Sequence, residues 1–157
     1  MRSTVVSSWN DFDPLKHAIV GRADFTCIPP SEPATEAKVP EDSDMRGMWG
    51  PRPLATVERA NAQLDNLVNL LESRGVRVDR PEPIQWNQAV NTPDFTTGSM
   101  FGCMPPRDVL LTVGKEILSA PMSFRCRYWE FLAYHTLMQR YFDEDPGFRW
   151  EQAPRPR

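Results

Sequence analysis

Proline is the feature that most constrains this chain. Sixteen of its 157 residues are proline, about twice the usual share of roughly 5%. Proline has no backbone N–H and breaks helix interiors, so its spread along the chain predicts short elements separated by turns. The densest stretch, 24–53, is also acidic. We predict an irregular excursion there, either a solvated surface segment or a lid or interaction segment.

The remaining composition is typical of a single globular domain. Hydrophobic residues make up 40% of the chain and charged residues 25%, which is enough apolar side chain for a packed core. The net charge of −3 and the lack of a basic run argue against a nucleic-acid partner. No apolar stretch approaches the roughly 18 residues that span a membrane. The N-terminus has no signal or transit pattern, so we expect a cytoplasmic location.

Helical and strand patterns alternate, which predicts an α/β fold. One helix is predicted at 56–74, with Thr56 as its N-cap and Gly75 as its left-handed C-terminal residue. A second is predicted at 124–142, capped by Ser123. The predicted strands are 16–21, 76–78, 109–113 and 116–118, with Gly114 in the turn of a hairpin. The tail from Phe148 onwards is predicted to hold no closing element.

Two aspartates are candidate binding residues. Asp108 follows Pro105, Pro106 and Arg107 at the start of a predicted strand. A carboxylate held stiffly at a strand edge can grip a planar guanidinium through two parallel hydrogen bonds. The alternative is that Arg107 and Asp108 are ordinary turn residues. Asp94 could orient a ligand or form a turn with its own backbone.

Arg127 and Glu130 are spaced to pair on one helix face, because they lie three residues apart. A plain salt bridge on the helix surface is one interpretation. The other is that the pair supports a carboxylate site.

The cysteines and histidines give no clear catalytic or metal centre. Three cysteines without a CxxC spacing predict neither a disulfide framework nor a zinc site. Cys126 lies between two arginines that would favour a thiolate, yet a buried packing role suits it equally. Cys103 has the same two alternatives. His135 falls on the apolar stripe of the second predicted helix, so we expect a satisfied core histidine.

Several segments together resemble the amidinotransferase family, which includes arginine:glycine amidinotransferase and inosamine-phosphate amidinotransferase. They follow the family's order along nearly the whole chain. The segments are SWNDFDPL at 8–15, IVGR at 19–22, GVRVDRP at 75–81, TPDF at 92–95, PRD at 106–108, APMSFR at 120–125, and the later positions 127, 130, 141–142, 150, 153–154 and 156. Within the family, 104–108 and 148–150 resemble members from cyanotoxin pathways.

The resemblance implies a fold and a reaction. The family has the pentein α/β propeller of ββαβ modules, so residues 1–157 would form the N-terminal part of one such domain. The implied reaction moves the amidino group of L-arginine to an amine acceptor, either glycine-like as in creatine biosynthesis or a secondary-metabolite amine. It proceeds through an amidino-cysteine intermediate with release of ornithine, and uses neither metal nor organic cofactor.

The family's site residues transfer only in part. Asp108 matches the substrate-binding aspartate of the PRD segment, while Arg107 and Asp94 match positions with a supporting role at most. The family's Gly-Gly-x-x-His-Cys stretch is not in this sequence. We therefore expect no catalytic residue in this chain and no activity from the chain in isolation. A non-catalytic module that binds a guanidinium or a protein partner is the alternative. Unmatched strand edges also make a homo-oligomer an open alternative.

Overall fold

The computed structural model describes residues 4–37, 39–44 and 46–154, with only the backbone at 34 and 35. Pro156, part of the family resemblance, lies outside these residues. The strands in chain order are β1 (His17–Ile19), β2 (Cys27–Ile28), β3 (Gly50–Pro51), β4 (Arg77–Asp79), β5 (Val90–Asn91), β6 (Thr96–Thr97), β7 (Leu110–Val113), β8 (Glu116–Ser119) and β9 (Arg149–Gln152). The α-helices are α1 (Pro33–Glu36), α2 (Leu54–Ser73), α3 (Pro106–Val109) and α4 (His135–Glu144), and two 3₁₀ helices cover Arg125–Arg127 and Glu130–Tyr134.

The strands form several small sheets. β1 and β4 pair in parallel, with α2 between them in the chain. β7 and β8 form an antiparallel hairpin, and β9 adds to β8 in parallel. β2–β3 and β5–β6 are short antiparallel pairs. The α/β class predicted from the sequence is therefore confirmed.

The core combines buried side chains of β7, β8 and α4 with others from before β1, from β2 and from the loops on either side of the β5–β6 pair. It is built from aromatic and aliphatic side chains that come from distant parts of the chain. Its largest fully buried members include Trp86, Tyr134, Tyr141 and Met138. None of the residues of α2 is fully buried, so that helix packs with one half-buried stripe only.

Both predicted glycine turns are confirmed. Gly75 has φ +77° just after α2, and Gly114 has φ +58° in the β7–β8 hairpin. These left-handed conformations cost little only for a residue without a Cβ. The predicted strands and the first helix are also present, with shifts of a few residues at their ends.

Both predicted N-caps are wrong. α2 begins at Leu54 after Pro53, and the first 3₁₀ helix follows Phe124, in each case without a side-chain capping hydrogen bond. Pro53 fixes the backbone geometry ahead of α2, so the helix starts before Thr56 is reached.

The second predicted helix is only partly α-helical. Residues 125–134 form the two 3₁₀ helices, and α-helix begins at His135. Tyr128, Trp129 and Phe131 pack in a chain of ring contacts, Tyr128 also against Phe95. Tertiary packing of these rings thus overrides the local helical pattern.

Two further predictions are corrected at the C-terminal side. The tail forms β9, because Trp150 packs on the sheet and its Nε1 donates to Ser119 Oγ at 2.8 Å. His135 is exposed, with an edge-on contact to the Trp150 ring, and is not a core residue. No α-helix of the described residues is both long and apolar enough to cross a membrane.

Candidate functional site

Asp108 lies in the single helical turn α3, directly before β7. Pro106 occupies the first turn, the Asp108 amide donates to the Pro105 carbonyl at 3.2 Å, and Val109 anchors the turn in the core. Asp108 therefore lies in the proline-backed corner immediately before the strand, as the sequence predicts, and this corner is a single helical turn. Proline presets φ for a helical turn, so the chain turns here before it extends. The Asp108 side chain remains 36% exposed.

Arg127 joins Asp108 to Glu130. Its Nη1 donates to Asp108 Oδ2 at 3.0 Å. Its Nε and Nη2 donate to the two oxygens of Glu130 at 2.9 and 2.8 Å, which is a two-point pair. The Phe101 ring lies under the guanidinium, 5.4 Å from Cζ to the ring centre. Each guanidinium nitrogen is thus used, and we call these three residues the Asp108–Arg127–Glu130 cluster.

Exposure rises across this cluster from the core outward. The side chain of Glu130 is 0% exposed and that of Arg127 is 15% exposed, against 36% for Asp108. Burial raises the pKa of Glu130 to about 7, although the Arg127 charge and its hydrogen bonds pull that pKa down. Burial works against the charge of Arg127, but its bonds to Glu130 and Asp108 raise its pKa overall. The cluster therefore presents its outer carboxylate to solvent and buries its inner one.

The supporting residues predicted from the sequence lie on the surface. Asp94 and Arg107 are both exposed, and no hydrogen bond or ion pair joins either to Asp108 among the described residues. The turn at Asp94 is built by Thr92, whose Oγ1 accepts from the amides of Asp94 and Phe95 at 3.2 and 3.0 Å. Arg125 stacks on Phe95, 5.6 Å from its Cζ to the ring centre, which holds this turn beside the first 3₁₀ helix.

The cysteines are buried and free. Burial raises the pKa of Cys103 and that of Cys126 to about 12, so both thiols are neutral near pH 7. A neutral thiol is a poor nucleophile, which favours the packing role. Among the described residues no group of three or more His, Cys, Asp or Glu side chains could hold a metal ion.

A cavity of about 310 Å³ adjoins the cluster. One wall is made by the excursion at 24–53, including Ile28, Met48 and Arg52, and the other by Phe101 and Arg127. The excursion therefore does more than cover the surface, because its side chains line a space that Arg127 also lines.

A second buried carboxylate, Asp79 at the end of β4, was missed by sequence reasoning. His17 Nε2 lies 2.7 Å from its Oδ2, and Tyr141 donates to the same oxygen at 2.8 Å. Arg140 donates to Oδ1 at 2.6 Å and Arg77 lies 3.2 Å from Oδ2. Burial opposes ionisation, but these partners hold the pKa of Asp79 below its usual value. The only available signal was the parallel register of β1 and β4, which sequence alone does not give.

No protein-family model matches the chain, but curated proteins do. Glycine amidinotransferase, mitochondrial, of Gallus gallus is 39% identical over 159 residues, covering 96% of this chain and 36% of that protein. L-arginine:L-lysine amidinotransferase of Pseudomonas savastanoi pv. phaseolicola is 36% identical, covering 99% of this chain and 43% of that protein. The chain thus spans less than half the length of the curated relatives it matches.

Solved structures agree. SxtG, described as an amidinotransferase from Microseira wollei in the saxitoxin biosynthetic pathway, superposes with a TM-score of 0.88 at 33% identity, covering 97% of this chain and 44% of that one. Inosamine-phosphate amidinotransferase from Streptomyces griseus gives 0.86 at 34% identity, covering 99% of this chain and 44% of that one. The agreement in sequence and fold confirms the resemblance to amidinotransferases predicted from the motifs, and over nearly its whole length the chain is similar to a part of each of these proteins.

Proposed function

We propose that the protein is an amidinotransferase that moves the amidino group of L-arginine to an amine acceptor, with Asp108 binding the substrate guanidinium. The observation that carries this proposal is the outward-facing carboxylate of Asp108, held in a fixed turn and backed by a buried ion pair. A guanidinium is planar and permanently charged, so a positioned carboxylate is its natural partner.

The proposed reaction is a double displacement. A cysteine thiolate attacks the guanidinium carbon, the bond to the side-chain nitrogen breaks, and ornithine leaves after that nitrogen takes a proton from a histidine acting as acid. The acceptor amine then attacks the amidino carbon and loses a proton to the same histidine, which now acts as a base. The bond from carbon to sulfur breaks, and the thiolate is released. We propose that the thiol and the histidine lie outside residues 1–157, because no described cysteine has a base or a lowered pKa.

The Asp108 assignment is tested in the protein at its full natural length. Asp108→Asn should raise the KM for L-arginine at least tenfold, because charged hydrogen bonds contribute about 1.5–3 kcal/mol. Ornithine release is the measurement. Asp65→Asn is the matched control, since Asp65 is also an exposed aspartate paired with one arginine, at 2.8 Å from Arg80. An unchanged KM in Asp108→Asn would remove Asp108 from the site.

The finer features stay proposals. The propeller arrangement of ββαβ modules is proposed from the fold of the solved relatives, and supporting roles for Asp94 and Arg107 from the family motifs alone. The acceptor is left open between glycine-like and secondary-metabolite amines, and with it the pathway. A cytoplasmic location remains a prediction, beside relatives whose names include "mitochondrial". If the full-length protein bound arginine without ornithine release, the non-catalytic guanidinium-binding alternative would stand instead.

A further inference from the structure

Glu130 has a role that pairing alone does not explain. It is fully buried, yet it carries a charge-bearing group that makes a two-point contact with Arg127 at 2.8 and 2.9 Å. A buried ion pair is expensive to desolvate and is weak ground for stability. Apolar residues would fill this space at lower cost, which implies that the charge of Glu130 serves a purpose other than stability.

The charge balance of the cluster explains why an ionisable residue at position 130 matters. Without Glu130, the guanidinium of Arg127 would neutralise Asp108 at 3.0 Å and would compete with any cation that approaches the outer carboxylate. With Glu130 ionised, two carboxylates share one guanidinium and the cluster keeps a net charge of −1. A cationic ligand can neutralise this remaining charge.

The geometry also fixes the direction of Arg127. Its Nε and Nη2 are both held by Glu130, so only Nη1 reaches Asp108, and it reaches a single oxygen, Oδ2. Stacking on Phe101 fixes the plane of the guanidinium. A guanidinium released from Glu130 could instead turn two nitrogens towards Asp108 and close that carboxylate to other partners.

We propose that Glu130 is a positioning residue for guanidinium binding at Asp108: it holds Arg127 in a two-point pair and leaves the cluster with one negative charge for the substrate cation. This inference rests on the proposed function, because it presupposes that Asp108 meets a guanidinium.

The charge of Glu130 depends on pH near neutrality. Its pKa, raised by burial to about 7, lies between pH 6 and pH 8. The charged group facing it is Arg127, with Asp108 beyond, and the further titratable groups that interact with it are Tyr134, Cys103 and Cys126. Burial keeps these three neutral across that pH range. Glu130 is therefore the group whose titration changes the charge of the cluster.

The experiment compares Glu130→Gln with the unaltered full-length protein, since glutamine has nearly the shape of the protonated carboxyl. At pH 6 and again at pH 8, we divide the KM of the variant for L-arginine by that of the unaltered protein. This ratio cancels titrations that both proteins share. We expect a ratio close to one at pH 6, where Glu130 of the unaltered protein is largely protonated and resembles glutamine. At pH 8 we expect a ratio of about ten, the effect of 1.4 kcal/mol.

Glu144→Gln is the control, because Glu144, on the last turn of α4, also makes a two-point pair with one arginine, Arg77, at 2.7 and 2.9 Å, beside Asp79 and away from Asp108. Its KM ratio should be one at both pH values. A ratio of one for Glu130→Gln at pH 8, or the same raised ratio at both pH values, would overturn the inference while Asp108→Asn still raised KM. An unchanged KM in Asp108→Asn would instead refute the proposed function.

A second variant covers the case in which Glu130→Gln does not fold, as judged by circular dichroism. Glu130→Asp keeps the charge and shortens the side chain. The pH dependence of its KM should parallel that of the unaltered protein, and loss of that dependence would overturn the inference.

Discussion

The described residues include two arginine–carboxylate clusters, one around Asp79 and one around Arg127, that differ in how many partners the aspartate has. Asp79 is 10% exposed and is surrounded by His17, Tyr141, Arg140 and Arg77. Asp108 is 36% exposed and is joined to Arg127 through one oxygen. The first carboxylate is saturated with donors from three elements, and the second faces outward.

This difference separates a structural carboxylate from the one that we propose binds the substrate. A carboxylate whose acceptor sites are filled by the protein itself ties elements together, here β1, β4 and α4. A carboxylate that the protein contacts through one oxygen only can still accept hydrogen bonds from a cationic ligand. Burial alone would favour Asp79 over Asp108 as a functional carboxylate, because Asp79 is less exposed. Its protein partners, however, leave it few free acceptor sites for a ligand.

The largest effect that would break this comparison is on folding. Asp79→Asn should lower the free energy of unfolding by about 3 kcal/mol, because it leaves several buried donors and cations without their shared partner. Urea denaturation of the full-length protein measures the change. The KM for arginine of the folded variant should stay the same. A loss below about 1 kcal/mol would mean that Asp79 does not hold these elements together.

The pH dependence of stability should have opposite signs in the two clusters. The raised pKa of Glu130, about 7 against 4.5 unfolded, means that the folded state holds the proton longer. The contribution of Glu130 to the free energy of unfolding is therefore complete below pH 4.5. It is lost as pH rises to about 7, which lowers that free energy by about 3 kcal/mol. Asp79, with its lowered pKa, contributes above pH 4 and loses that contribution in acid.

Urea denaturation between pH 5 and pH 8 checks this prediction. The decline in stability over that range should be much smaller in Glu130→Gln than in the unaltered protein. Equal slopes for the two proteins would show that Glu130 does not titrate differently on folding.

The smallest effect sharpens the contrast. Asp108→Asn should change the free energy of unfolding by less than about 1 kcal/mol, because a pair this exposed is screened by solvent and Arg127 keeps its pair with Glu130. The same urea measurement, run beside Asp79→Asn, makes the comparison direct. A loss as large as that of Asp79→Asn would place Asp108 among the structural carboxylates.

Local signals predicted much of the fold, because they depend on neighbours in the chain. The glycine turns at Gly75 and Gly114, the long helix before Gly75 and the β7–β8 hairpin all follow from short-range rules. β9 was missed because its partner, β8, is distant and its sequence has one apolar side chain. The 3₁₀ helices were missed because aromatic packing decided them.

The site divides in the same way. The Arg127–Glu130 pair was predictable from its three-residue spacing. Its link to Asp108 was not, because it joins α3 to a 3₁₀ helix through tertiary packing. Asp108 was a candidate because of the prolines ahead of a predicted strand, and the family motif gave it a role; that these residues form a helical turn was not predicted. Asp79 shows the limit most plainly, since its partners come from three separate segments.

The junction of Ser8 with the β7–β8 hairpin has a consequence for how the protein reaches its folded state. Ser8 and Gly114 exchange backbone hydrogen bonds at 2.8 and 2.6 Å, and the Trp9 ring covers the glycine. Such a contact between distant parts of the chain lowers the folding rate, because a long loop must close before it forms. The hairpin that follows Asp108 should therefore acquire its final packing late, only after the opening residues of the chain have docked on it.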